Sequence, residues 1–302
     1  MSERLTLIGF GEAGRSIATG LVKEAKVPVK AFDLRFAGPD GAALKKTAEA
    51  AGIQPCGDLR EALDGATIVL SLVVGSAAVA AARSAAAFLK PGCFYIDMNS
   101  VSPGTKRAVG AAVTPSGADY VEAAVMARVP PYGHRVPLLL AGPKAQELAE
   151  RLGKLGMKAE AAGDTVGQAS LNKMLRSIMI KGIESLLLES LVAARRWGIE
   201  ERILDSVSET FPGLDWRQVA TYYLGRTAIH GARRVTEMAE SADTVAELGL
   251  DPIMAKATGQ RIAWAHERLR NVTWPGGEPK SYTEILDVLD KVLTAEEQKA
   301  KA

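Results

Sequence analysis

The sequence predicts a doubly wound α/β domain followed by an all-helical domain, and three observations carry that prediction. Short apolar runs alternate with helix-compatible stretches through the first half. A glycine-rich turn closes the first of these runs at Gly9-Phe10-Gly11. Beyond Gly163 the strand signals stop and helical composition takes over. A chain of 302 residues also exceeds the usual single core, so two domains are expected, 1–163 and 164–302.

Residues 5–10 (LTLIGF) read as a buried strand, because so brief an apolar run ending in glycines suits a strand better than a helix. A helix follows over 13–25, then a strand at 27–34, a helix at 42–51 and a strand at 66–73. The Ala-rich stretch 76–89, the strand 93–99, a helix after Pro103, strands near Tyr120 and Leu138 and a helix after Pro143 continue the alternation. That order implies a mainly parallel sheet with right-handed crossovers and helices on both faces. From Val166 to Trp197 some 32 residues are compatible with one helix, about 48 Å long at 1.5 Å per residue. Further helices are expected over 199–209, 215–247, 252–271 and 281–300, with the polar tail 294–302 frayed.

Composition excludes several classes of function. A formal charge of +2 gives no electrostatic case for nucleic acid or an anionic membrane. Cys56 and Cys93 are too few and too far apart for a zinc cluster or a disulfide framework, so no metal is expected and a reducing compartment fits. The first apolar run is too short for a signal-peptide core, and no apolar stretch is long enough to span a bilayer. A soluble cytoplasmic protein acting on a small molecule is the expectation.

Gly9, Gly11 and Gly14 form GxGxxG directly after a predicted strand and at the start of a predicted helix. That context is the Rossmann fingerprint: the first glycine permits the tight turn, the second lets the backbone approach a pyrophosphate, and the third lets helix and strand pack closely. The turn Gly9-Phe10-Gly11-Glu12-Ala13-Gly14 is thus expected to hold the phosphates of a dinucleotide at a helix N-terminus. Asp33 lies 19 residues after Gly14, at the end of the second strand, where a carboxylate accepts from the ribose hydroxyls of NAD. Arg35 suits the 2′-phosphate of NADP instead, so NAD is favoured and NADP stays open.

Around this motif the sequence resembles the β-hydroxyacid dehydrogenase superfamily, the group of 3-hydroxyisobutyrate and 6-phosphogluconate dehydrogenases, with imine reductases as more distant members. Asp97-Met98-Asn99-Ser100, followed by Pro103, is similar to the family's segment at the nicotinamide end of the cofactor, and Val73-Val74-Gly75-Ser76 to another cofactor loop. Gly167-Gln168-Ala169-Ser170-Leu171-Asn172-Lys173 resembles the family's GxGxxxK with alanine for the second glycine. The resemblance implies that Lys173 is a general acid and base on a hydroxyl or carbonyl oxygen while hydride is exchanged with the nicotinamide. Leu171, Met174, Leu175 and Ile178 surround it in sequence, so the segment is expected to be substantially buried.

The chain also departs from the family. Where many members carry Ser-Gly-Gly it reads Val125-Met126-Ala127-Arg128, and where an asparagine follows the lysine by four residues it has Ser177. Ser100, Met126, Arg128 and Ser177 are therefore candidate substrate contacts, Arg128 as a fork for an anionic group. In the helical half Arg226, His230, Arg233, Arg234 and Glu237 recur at three and four residues, opposite Ile229, Ala232 and Val235. His230, Arg233 and Arg234 are candidates for a substrate anion; a solvated or inter-subunit salt-bridge face is the competing reading. Trp197, Trp216, Trp264, Tyr222 and Tyr223 read as core or interface anchors. The resemblance implies a homodimer and an NAD(P)-dependent dehydrogenase acting on a small anionic hydroxy compound or its carbonyl partner. An imine reductase and a non-catalytic dinucleotide sensor are the alternatives.

Overall fold

The computed structural model describes residues 3–301, which divide into two compact units, one ending at Met174 and the other starting at Leu175. In the first, strands β1 (Leu5–Ile8), β2 (Val29–Phe32), β3 (Gln54–Pro55), β4 (Ile68–Ser71), β5 (Phe94–Asp97), β6 (Asp119–Val125), β7 (Leu138–Ala141) and β8 (Ala159–Gly163) form one sheet. Its order is β3-β2-β1-β4-β5-β6-β7-β8, parallel throughout except where β7 runs antiparallel to β6. The central strands LTLI, IVLS and FYID are buried on both faces, which is why they read as continuous apolar runs rather than alternating ones.

Helices α1 (Glu12–Lys23), α2 (Gly41–Ala50), α3 (Leu59–Leu63), α4 (Ala78–Ala86), α5 (Pro103–Val113), α6 (Val129–Tyr132) and α7 (Ala145–Lys154) connect the strands. Successive strand residues point to opposite faces and so serve separate cores. Leu5, Leu7, Leu70 and Ile96 pack with Ile17 and Leu21 of α1 and Leu148 and Leu152 of α7. Val69 and Tyr95 pack on the other face with Ala82 of α4 and Val109 of α5. The strand order turns back between β1 and β4, the crevice where doubly wound folds bind ligands.

Helix α8 (Gln168–Arg195) begins in the first unit and continues into the second. The second unit adds α9 (Glu200–Thr210), α10 (Trp216–Glu247), α11 (Ile253–Leu269) and α12 (Tyr282–Lys301) around a core of Leu188, Leu191, Leu224, Leu269, Ile285 and Leu289. Helix α10 is interrupted at His230 (φ −124°, ψ 18°), beside Gly231, where an added Cβ would meet His266 of α11 at 2.6 Å.

Several expectations are corrected. Helix α12 runs through to Lys301, so the tail from 294 to 301 is helical rather than frayed; Ala302 lies outside the described residues. The two-residue β3, the five-residue α3 and β8 add to the expected elements; they are short and lack a β-branched run, so composition does not mark them. Of the aromatics expected as core or interface anchors, Trp216, Tyr223 and Trp264 pack against the helical core, and Trp197 (84% exposed) and Tyr222 lie outside it on the surface. No helix among the described residues is long and apolar enough to cross a membrane.

Candidate dinucleotide and catalytic site

The glycine-rich turn joins β1 to α1, and its three glycines differ in what surrounds them. Gly9 has φ +98°, and a Cβ there would meet the Leu72 carbonyl at 2.3 Å, so both backbone conformation and the adjoining β4 require glycine. A Cβ on Gly14 would meet the Gly9 carbonyl oxygen at 2.4 Å, which enforces close packing of α1 on the turn. Gly11 has ordinary φ (−76°) and nothing within 4 Å of a would-be Cβ. No protein atom requires glycine there, as fits a position kept bare for a ligand. Gly11 is also the N-cap of α1 and supplies no side-chain cap, so the first amides, from Glu12, Ala13 and Gly14, are left for an anion. The Glu12 side chain lines an outer groove with Arg15, Ser16 and Thr19.

Asp33 sits just past β2 with both carboxylate oxygens engaged. Oδ2 accepts from the Phe10 amide (2.7 Å) and from Arg35 Nη2 (2.8 Å); Oδ1 accepts from the Arg35 amide (2.9 Å) and Nε (3.0 Å). Burial works against its charge, but the Arg35 and Phe10 hydrogen bonds outweigh it and hold the carboxyl below its usual range. The two residues that pointed to different cofactors thus form one bidentate pair, with the Arg35 side chain 56% exposed.

The loop after β5 is braced from within. Asn99 Oδ1 accepts from the Val73 amide (2.7 Å), and its Nδ2 donates to Asp97 Oδ1 (2.6 Å). Fully buried Asp97 also accepts from Tyr120 (3.3 Å) and pairs with Lys106 (3.3 Å), itself 1% exposed and donating to the Asp97 carbonyl (2.7 Å). The Asn99 side chain therefore ties the Val73–Val74 loop to the β5 loop, and Val74 stands out in solvent. Ser100, the next residue, is half-buried and accepts a hydrogen bond from Lys173 Nζ.

Lys173 is half-buried rather than enclosed, and Leu175 beyond it is 40% exposed. Among the described residues the deeply buried lysines are Lys106 and Lys181, both in ion pairs. Met126 packs with Ala124, Ala141 and Ala169, while Arg128 is exposed and forms no hydrogen bond or ion pair among the described residues. Because β6 runs parallel to β5, the Met126–Arg128 segment leaves the sheet at the same end of the strands as Ser100.

Ser177, His230, Arg233 and Arg234 belong to the second unit. There the expected cationic stripe is largely neutralised. Arg234 is buried and donates through Nε (2.8 Å) and Nη2 to Glu184 of α8, which also accepts from Thr227; Arg233 pairs with Glu237 (3.0 Å). Ile229 and Ala232, read as the opposite side, are exposed. The described residues hold no group of three or more His, Cys, Asp or Glu able to bind a metal.

Strand order, bare Gly11 and the uncapped α1 terminus define a dinucleotide-binding protein of the Rossmann class. Residues 4–129 match the NAD binding domain of 6-phosphogluconate dehydrogenase, and residues 194–265 match a domain of unknown function, DUF1932. The crystal structure of a conserved hypothetical protein from Sinorhizobium meliloti 1021 is 49% identical, covers 97% of each chain and has a TM-score of 0.81. A conserved protein of unknown function, described as structurally similar to 3-hydroxyacid dehydrogenases, is 31% identical over 89% of this chain and 100% of its own (TM-score 0.73). L-threonate dehydrogenase of Cupriavidus necator is 28% identical over 223 residues, 72% of this chain and 73% of that protein. The chain belongs to the hydroxyacid-dehydrogenase-like family of NAD-binding proteins, in the branch that joins a 6-phosphogluconate-dehydrogenase-type domain to a DUF1932 domain.

Proposed function

We propose that this protein is an NAD(P)-dependent dehydrogenase that oxidises a CH–OH group of a small hydroxy acid, with Lys173 as general base and the reverse reaction using it as general acid. The observation that carries this reading is the hydrogen bond from Lys173 Nζ to Ser100 Oγ, which puts an amine and a hydroxyl side by side at the carboxyl end of the strands, where a dinucleotide is expected. Bound NAD supplies the hydride acceptor. The α1 amides would hold its pyrophosphate, Asp33 would accept from the ribose hydroxyls in exchange for an Arg35 contact, and the braced Asn99 keeps Ser100 in place. Lys173 would take the proton from the substrate hydroxyl, and Ser100 would orient that hydroxyl.

For the anionic group, Arg128 is the better candidate than Arg234, whose guanidinium is already committed to Glu184. Arg128 offers a planar fork at the same end of the strands as Ser100. Asp33 favours NAD, while Arg35, by neutralising it, lowers the repulsion that would exclude NADP.

The test is turnover of NAD with a panel of short hydroxy acids that includes L-threonate, on wild type, Lys173→Ala and Arg128→Ala. Lys173→Ala should lose about two or more orders of magnitude in kcat with NADH binding unchanged. Arg128→Ala should raise KM about tenfold with kcat little altered. Full turnover by Lys173→Ala would remove the lysine from the chemistry and leave a dinucleotide-binding protein.

A further inference from the structure

Helix α8, which carries Lys173, starts without a cap of its own: Gly167 precedes Gln168, and glycine has no side chain to accept from the first amides. The acceptor comes instead from a strand 45 residues earlier in the chain. Glu122, in the middle of β6 and fully buried, turns its carboxylate onto the start of α8. Oε1 accepts from the amides of Gly167 (2.8 Å), Ala169 (2.9 Å) and Ser170 (3.4 Å), and Oε2 accepts from Ser170 Oγ (2.9 Å). These are charge-assisted bonds in a dry setting, at the positive end of a helix dipole. Ser170 lies three residues before Lys173, so it shares that residue's side of the helix. The neighbouring strand β5, in parallel register with β6, leads to Ser100, the acceptor of the Lys173 hydrogen bond.

We propose that Glu122 is the positioning residue for Lys173: by clamping the first turn of α8 to β6 it sets the rotation and height of the helix at which Nζ reaches Ser100 Oγ. The proposal deepens the reading of Lys173 as acid and base, and rests on it for its relevance to turnover. Without the carboxylate the amides of Gly167, Ala169 and Ser170 lose their acceptor and only Gln168, bonded to the Thr165 carbonyl (3.3 Å), keeps one, so the opening turn frays and the lysine swings out of reach of Ser100.

The experiment is trace labelling of the full-length protein with acetic anhydride, with each lysine quantified by peptide mass spectrometry. In Glu122→Ala the labelling of Lys173 should rise by about tenfold, as expected for a turn released from local protection, while exposed Lys46 and Lys90 stay unchanged. Glu122→Gln, which keeps one oxygen to accept from the amides, should restore most of the protection. NADH affinity should stay within about twofold in both, because the phosphate turn lies on another crossover. Unchanged Lys173 labelling in Glu122→Ala, or no recovery with Gln, overturns the proposal. If Glu122→Ala does not fold, Ser170→Ala decides: a rise of about twofold at Lys173 supports the clamp and no rise overturns it. The labelling reads the clamp whether or not Lys173 moves a proton, so failure of the clamp and failure of the catalytic reading are told apart by the turnover of Lys173→Ala.

Discussion

Asp33 and Arg35 show how one side chain sets what its neighbour can do. Because the folded carboxyl titrates below its usual range, its stabilising pairing is complete above the ordinary carboxylate range and is lost as pH falls through the depressed folded value. NADH affinity should therefore hold constant from neutrality down to about pH 5 and weaken only below the ordinary carboxylate range. Arg35→Ala removes the main force holding that value down, so the acid limb of binding should move to higher pH in an NADH titration followed by fluorescence. An acid limb that stays put in the variant would show that the Phe10 amide alone suffices. The glycines give a second contrast. Gly14→Ala should destabilise the fold by about 1–3 kcal/mol, because the new methyl meets a backbone oxygen that cannot move aside. Gly11→Ala should cost only about 0.5 kcal/mol of stability yet weaken NADH binding about tenfold or more. Thermal melts and cofactor titration of the two variants separate packing from ligand approach. Burial pushes the thiols of Cys56 and Cys93 up to about 11, so neither is a reactive nucleophile.

At the scale of elements, the buried charges divide the strands and helices into those the sequence displays and those it conceals. Apolar runs such as LTLI and FYID announce strands buried on both faces, and GxGxxG announces the turn between β1 and α1. Nothing local announces that Glu122 caps α8 or that Asp97, Asn99 and Lys106 brace the β5 loop. A signal was nonetheless present: a carboxylate within YVEAAV or FYID lies in an apolar run and must find an internal partner. That partner is distant in sequence, so spacing cannot identify it. Around Lys173 the apolar neighbours bury Ala169, Ser170 and Met174 but leave the lysine itself half-buried, whereas Lys106, Lys181 and Arg234 are the buried cations among the described residues. In α10 the period of three and four revealed the charged stripe but not its direction, because Glu184, the partner that draws Arg234 inward, belongs to α8. Arg234→Met should cost about 3–5 kcal/mol by leaving Glu184 charged and unpaired, and Glu184→Leu added to it should recover most of the loss. Urea unfolding of the single and double variants measures this; additive losses would contradict the pairing.

Across the whole molecule, the sheet of the first unit has two edges, and each is blunted in its own way. Strand β3 is two residues long and contains Pro55, which has no amide to offer a further strand. On the opposite side β8 reads Ala-Glu-Ala-Ala-Gly, with Glu160 on the strand and Lys158 just before it. Neither offers the long, apolar, hydrogen-bond-hungry border along which sheets of separate molecules zip together. The consequence is colloidal rather than catalytic: the protein should tolerate concentration and storage without growing strand-to-strand aggregates, although its sheet is eight strands wide. Glu160→Val, which removes a charge from the border while leaving the cores untouched, should shorten the lag before light scattering rises in a concentrated, gently heated sample.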